Sequence, residues 1–172
     1  MKRALFAVGV LWLAIIGGMV GIKEYTLQTG QEIFLKTVPV DPRDLFRGDY
    51  VILSYELSSL DLEKLGASSA AFSRGQEVYV LLGTQGRYSV ATEVRSSRPS
   101  RKELFLKGQV LSVSGRTVRM EYGIESYFVP EGKGRTLERA RGKNLDVRAS
   151  VDKQGNAVIK TLLLDGQEIL FR

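Results

Sequence analysis

The N-terminal apolar run constrains the fold of this chain more than any other feature of its sequence. Residues Ala4 to Ile22 read ALFAVGVLWLAIIGGMVGI and contain neither a charged residue nor a proline. As a helix, a segment of this length reaches about 28 Å, which is close to the thickness of the hydrocarbon core of a bilayer. The sequence therefore predicts a membrane anchor over residues 1–24 and a separate domain over residues 25–172.

The charges that flank the run predict its orientation. Lys2 and Arg3 precede the run, and Lys23 and Glu24 follow it. Because Lys and Arg are enriched on the cytoplasmic side, we expect a single-pass inner-membrane protein whose C-terminal domain lies outside the cytoplasm, in the periplasm. A cleaved signal peptide is the alternative. Its apolar part is usually about 7–15 residues long and ends in a small-residue cleavage site, whereas this run is longer and has Met19 near its end.

The rest of the chain has the pattern of a β protein. Strand-like runs recur about every ten residues, with turn signals such as Ser114-Gly115-Arg116 between them. Strands are predicted at Gln31–Val38, Tyr50–Leu57, Glu77–Gly83, Arg87–Val94, Glu103–Val113, Thr117–Tyr122, Leu145–Val151 and Ala157–Leu164. Short helices are predicted at Leu60–Leu65 and Gly134–Arg141. The predicted fold is mainly β: a transmembrane helix, then an antiparallel β-barrel or sandwich-like domain with one or two short helices.

Composition removes several classes of function. Among its 172 residues the chain has no cysteine and no histidine. This excludes disulfides, zinc sites of the usual Cys/His kind, and Ser-His-Asp or Cys-His catalysis. The formal net charge is +6, but no run of five or more basic residues occurs, so we expect no nucleic-acid partner. No cofactor and no metal are predicted.

The most unusual stretch is the charged turn before the second predicted strand, PVDPRDLFRGDYVILSY. Acids and arginines alternate in this turn, at Asp41, Arg43, Asp44, Arg47 and Asp49. Carboxylates cap turns, and a guanidinium can bind a carboxylate through two parallel hydrogen bonds. We interpret the turn as an ion-paired structural corner whose outer part also forms a recognition edge.

The strand that follows the turn has one face predicted to join the core. Gly48 permits a tight entry to this strand. On the strand, Val51, Leu53, Tyr55 and Leu57 alternate with a second face that begins at Tyr50. We expect the second face to be covered near Tyr50 and Ile52 and solvated near Glu56.

The sequence GDYVILSY fits the signature of the GDYXXLXY proteins, a bacterial family of membrane-anchored proteins. The resemblance extends to YGIESYFVPEGKGRTLE (Tyr122–Glu138) and to VRASVDKQGNAVIKTLLLDG near the C-terminus, so it covers almost the whole chain. The resemblance implies the anchored topology and, as a partner, a polytopic membrane protein. It implies no established reaction.

The second motif, Tyr122–Glu138, combines aromatic residues with a glycine-rich loop. Its candidate site residues are Tyr122, Glu125, Tyr127, Glu131 and Glu138. The three glutamates are candidate partners for Arg43 and Arg47, so we expect the two motifs to meet in the fold. The loop lacks the G-K-[ST] ending of a phosphate-binding loop.

Three alternatives are open for the function. A binding and assembly module, attached to membrane lipid and to a polytopic membrane protein, is the interpretation we favour over an enzyme. A Ser/Lys hydrolase that resembles type I signal peptidases is one rival. However, residues 23–47 contain no serine, and we expect its candidate lysine, Lys107, to pair with an acid or face solvent. A glycan hydrolase would instead use Asp49 with Glu125 or Glu131 as a carboxylate pair.

The third alternative is a module that binds a cell-wall or lipid ligand. A polar loop, RSSRPSRK (Arg95–Lys102), is relevant to this alternative because it is rich in basic residues. We interpret the loop as a solvated hairpin tip, with membrane contact as the other interpretation.

Overall fold

The computed structural model describes residues 2–38, 46–47, 50–100, 102–129 and 145–169. Helix α1 spans Lys2–Thr29. The strands are β1 (Gln31–Lys36), β2 (Phe46–Arg47), β3 (Tyr50–Ile52), β4 (Ser59–Asp61), β5 (Glu77–Gln85), β6 (Tyr88–Arg95), β7 (Phe105–Ser114), β8 (Thr117–Glu121), β9 (Ser126–Phe128), β10 (Leu145–Val151), β11 (Ala157–Leu164) and β12 (Gln167–Glu168). Short 3₁₀ turns occupy Glu56–Ser58 and Ser69–Ala71.

Helix α1 is long and apolar enough to cross a membrane. The qualifying segment is Phe6–Thr29, with a mean hydropathy of 2.0. Large apolar side chains along it are exposed, among them Trp12 and Leu13. The helix continues past the predicted anchor boundary at residue 24 and ends at Thr29.

The strands form three antiparallel sheets that together make a nearly closed barrel. Their strand orders are β1-β10-β11-β12, β2-β3-β9 and β4-β8-β7-β5-β6. A bridge between Thr37 and Tyr55 joins the first sheet to the chain that leaves the second. The Lys107 N–H donates to the Gly155 carbonyl at 2.8 Å and so joins β7 to the β10–β11 hairpin. The predicted fold class is confirmed.

The core fills the inside of the barrel. Its fully buried members include Leu35, Leu62, Val80, Leu106 and Leu162. The predicted core face of the first motif is confirmed, because Val51, Leu53, Tyr55 and Leu57 are all buried.

Two predicted elements differ from the structure. The predicted strand Tyr50–Leu57 is wrong in length, because only Tyr50–Ile52 is strand and Glu56–Ser58 turns as 3₁₀ helix. The predicted helix Leu60–Leu65 is also wrong: its first residues belong to β4, which pairs with β8, and a turn follows. The other predicted helix, Gly134–Arg141, lies outside the described residues.

The helix joins the barrel without a linker. Thr26 in the last turns of α1 is 3% exposed, and the Ser150 hydroxyl donates to the Leu27 carbonyl at 3.3 Å. A Cβ atom on Gly30 would lie 2.5 Å from the Thr26 carbonyl oxygen and 3.0 Å from that of Val151. Close approach of the backbone at Gly30 therefore fixes the end of the helix against β10.

Candidate binding site at the paired motifs

The two sequence motifs share one small sheet. In the β3–β9 pair, Tyr50 lies opposite Phe128, and Val51 lies opposite Tyr127. The Leu53 N–H extends this pairing by donating to the Glu125 carbonyl at 2.8 Å. The motifs therefore meet, as expected, although they lie far apart in the sequence.

Below this sheet, two buried tyrosines join the motifs through a pair of hydrogen bonds, which we call the lock. The Tyr55 hydroxyl donates to the Ile124 carbonyl, and the Tyr122 hydroxyl donates to the Leu57 carbonyl at 2.7 Å. Each motif thus supplies one phenol hydroxyl as a donor, and a backbone carbonyl in or next to the other motif accepts its hydrogen bond. Burial, and secondarily the charge of Glu125, raises the pKa of both tyrosines well above the ordinary value. Both phenols therefore stay protonated and can act as hydrogen-bond donors.

Glu125 stabilises the turn that carries this lock. Its half-buried carboxylate accepts the Tyr122 N–H at 2.6 Å. Gly123 has a φ of 78°, a left-handed conformation that favours glycine. Glu125 therefore has a defined structural contact within its own motif.

On the outside of the small sheet, Tyr50 and Phe128 form an exposed pair of rings, which we call the aromatic patch. The ring centroids are 5.4 Å apart at an interplanar angle of 72°, an edge-to-face geometry. Tyr50 is 51% exposed and Phe128 is 56% exposed. The expectation that Tyr50 would be covered is therefore wrong. On the opposite side of the same strand, Val51 is buried in the core.

Phe128 belongs to the aromatic patch but is not among the site residues predicted from the sequence. Its signal in the sequence is weak, because three residues of strand show little alternation and the partner strand cannot be read from the motif alone. Pairing with β3 is what places Phe128 beside Tyr50.

The charged residues of the predicted corner lie mostly outside the described part of the chain. Arg47 belongs to β2 and pairs with Tyr50 through the backbone. The other residues outside the described ranges are Asp41, Arg43, Asp44, Gly48, Asp49, Glu131 and Glu138. The ion-paired corner and the Asp49–Glu131 carboxylate pair stay predictions.

The candidate catalytic lysine is engaged elsewhere. The Lys107 ammonium lies 3.3 Å from the Glu77 carboxylate, and its side chain is 36% exposed. It therefore pairs with an acid, as expected. Within the described ranges, no three or more Asp or Glu residues gather in a group that could hold a metal ion.

A family model described as GDYXXLXY protein matches residues 12–162. The chain belongs to the GDYXXLXY protein family. The matched range begins within α1, includes both motifs and ends in β11, so the model covers the helix, the lock and the aromatic patch of this GDYXXLXY protein. A comparison with curated proteins and a comparison with solved structures each gave no match.

Proposed function

We propose that this GDYXXLXY protein is a membrane-anchored extracytoplasmic module that binds and helps to assemble a polytopic protein of the inner membrane, with the aromatic patch as its contact. The observation that carries the proposal is the meeting of the two motifs, which buries two tyrosines and leaves Tyr50 and Phe128 exposed as neighbours. Aromatic residues are enriched at protein interfaces and supply large contact areas there.

The rigid base below the patch supports a role in binding. The β3–β9 ladder and the Tyr55–Tyr122 lock hold the backbone of both strands that carry the rings. A surface fixed before binding loses less conformational entropy in the complex, so more of the contact free energy appears as affinity.

The helix supports membrane attachment. Phe6–Thr29 meets the length and hydropathy expected of a membrane span, and its last turns pack on the barrel. A barrel joined in this way is held close to the bilayer, where a protein with several membrane spans can reach it.

The test is capture of the partner by full-length protein from mild detergent. The wild type should co-purify with a multi-span membrane protein at near-equal amounts. The double variant Tyr50→Ser, Phe128→Ser should retain less than a tenth of this partner, because truncating central aromatic contacts commonly costs about 2 kcal/mol or more.

Leu111→Ser is the matched control, since Leu111 is also an exposed apolar side chain, at 43%, but lies on β7 in another sheet. This variant should capture the partner as the wild type does. Equal capture by the double variant would contradict the proposal. Purification without a partner, together with cleavage of envelope peptides or glycans, would favour the hydrolase alternatives.

A further inference from the structure

A groove lies where the helix leaves the barrel, with a volume of about 940 Å³. Gly18, Gly21 and Ile22 line one side, and the β10–β11 hairpin lines the other with Asp152 and Lys153. Gly18 to Ile22 belong to the apolar run, in which four residues span about 6 Å along a helix axis. Tyr25, Thr26 and Thr29 line the groove as well, so the hairpin faces the part of the helix between the end of the apolar run and the barrel. A bilayer surface lies along this part if the helix spans the membrane.

The described residues of the basic loop Arg95–Lys102 lie at this same end of the barrel. Arg98 reaches the hairpin directly, since its guanidinium donates to the Lys153 carbonyl at 3.0 Å. Arg98, Lys102 and Lys153 are all exposed. The loop is thus largely exposed, as interpreted, and it also contacts the hairpin that lines the groove. Lys102 directly precedes Glu103, which lines the groove too.

The nearby acids are occupied by other groups. Glu93 and Glu103 bind Arg95 at 2.6 and 3.2 Å. The Asp152 carboxylate accepts the backbone N–H groups of Gln154 and Asn156 at 2.8 and 2.9 Å. Among the ion pairs of the described residues, none includes Arg98, Lys102 or Lys153. These three cations are thus available to an anion outside the chain.

We propose that Arg98, Lys102 and Lys153 bind the phosphate groups of anionic lipids, so that the barrel is docked on the bilayer surface as well as anchored by α1. This inference rests on the proposed membrane attachment. Basic side chains close to an anionic bilayer are attracted to its negative surface potential, and each strengthens binding roughly fivefold. The groove beside them leaves room for a headgroup between the helix and the hairpin.

The test compares lipids on the full-length protein in neutral detergent. Native mass spectrometry would measure the retention of phosphatidylglycerol and of phosphatidylcholine with identical acyl chains. The wild type should bind phosphatidylglycerol at least tenfold more tightly, and 0.5 M salt should reduce this preference. The triple variant Arg98→Gln, Lys102→Gln, Lys153→Gln should lose the preference.

The matched control is the triple variant Lys64→Gln, Arg116→Gln, Arg119→Gln, which removes the same charge from exposed residues on or beside β4 and β8. It should keep the preference of the wild type. The inference would be overturned if the wild type retained the two lipids equally, or if the control variant lost the preference as fully as the test variant. Complete displacement of phosphatidylglycerol by millimolar inorganic phosphate would overturn it as well.

Membrane fractionation separates this inference from the proposed anchoring. A triple variant at Arg98, Lys102 and Lys153 that stays in the membrane fraction and loses the lipid preference supports both proposals. A wild type that leaves the membrane fraction contradicts the anchoring. A wild type that stays there without a lipid preference contradicts the headgroup site alone.

Discussion

At the scale of single residues, the two buried phenols explain how distant motifs hold one geometry. The Ile124 and Leu57 carbonyls accept hydrogen bonds from Tyr55 and Tyr122. A buried carbonyl that loses its donor has no water to replace it, so removing one hydroxyl costs more than an exposed hydrogen bond is worth. The lock therefore depends on the phenol oxygens as well as on ring packing.

Tyr55→Phe and Tyr122→Phe should each lower the free energy of unfolding by about 1–3 kcal/mol, since each leaves a buried acceptor unpaired. Denaturant unfolding of the full-length protein in detergent would measure this. Tyr79→Phe is the control, because its hydroxyl bonds Glu77 in an exposed setting, and it should change stability by less than about 0.5 kcal/mol. No loss in either buried variant would show that the hydroxyls are dispensable.

The same tyrosines predict a loss of stability in alkali. Their pKa is raised in the fold, mainly by burial, whereas an unfolded tyrosine titrates near pH 10. Below that pH both states hold the proton, so stability does not change with pH through these groups. Above it only the unfolded state releases protons, and stability falls by up to about 1.4 kcal/mol per pH unit for each tyrosine. Between pH 10 and 11, the free energy of unfolding should fall less steeply in the double variant Tyr55→Phe, Tyr122→Phe than in the wild type. Equal slopes would show that these two tyrosines do not cause the loss of stability.

At the scale of elements, the backbone at the junction between α1 and β1 leaves no room for a side chain at Gly30. Gly30→Ala places a Cβ against the Thr26 and Val151 carbonyl oxygens, which belong to the backbone and cannot rotate away. Such overpacking costs about 1–3 kcal/mol. Gly9→Ala is the control, since nothing lies within 4 Å of its added Cβ. Thermal unfolding in detergent should give a lower melting temperature for Gly30→Ala than for Gly9→Ala. Equal melting temperatures would mean that the junction accommodates the added methyl group without a loss of stability.

Strand prediction succeeded where local turn chemistry decides the structure. The bounds of β10 and β11 are as predicted, because Asp152 caps the hairpin between them and Gly155 adopts a φ of 86°. Local sequence signals did not predict the element bounds where pairing between distant segments decides the structure. Alternating burial continues through Leu57 although the chain there turns as 3₁₀ helix, so burial period alone could not mark the end of β3.

The candidate site, like the fold, could be predicted only where local sequence signals decide the structure. Tyr55 and Tyr122 stand in the motifs, but their exchange of hydrogen bonds depends on two segments that pair only in the fold. The exposure of Tyr50 depends on what covers the outer face of the small sheet, which alternation cannot show.

At the scale of the whole molecule, the two proposed contacts lie at different ends of the barrel. Strand β1 runs away from the helix, and Thr37 just beyond it pairs antiparallel with Tyr55. Tyr50 therefore lies farther from the helix than Thr37 does, whereas Lys153 lies beside the helix exit. Six residues of strand rise about 20 Å. A partner bound at the aromatic patch thus needs an extracytoplasmic segment that reaches roughly this far above the bilayer.

The proposed extracytoplasmic module requires the barrel to lie outside the cytoplasm, and this topology is directly testable. Lys2 and Arg3 precede the apolar run, and the positive flank is expected to stay in the cytoplasm. Alkaline phosphatase fused after Arg172 should therefore be active, and a reporter that works only in the cytoplasm should be inactive at the same position. The untagged protein should remain in the membrane fraction at its full mass of 19.1 kDa. The opposite reporter pattern would place the barrel in the cytoplasm, and a species shorter by about twenty residues would show that the apolar run is a cleaved signal peptide.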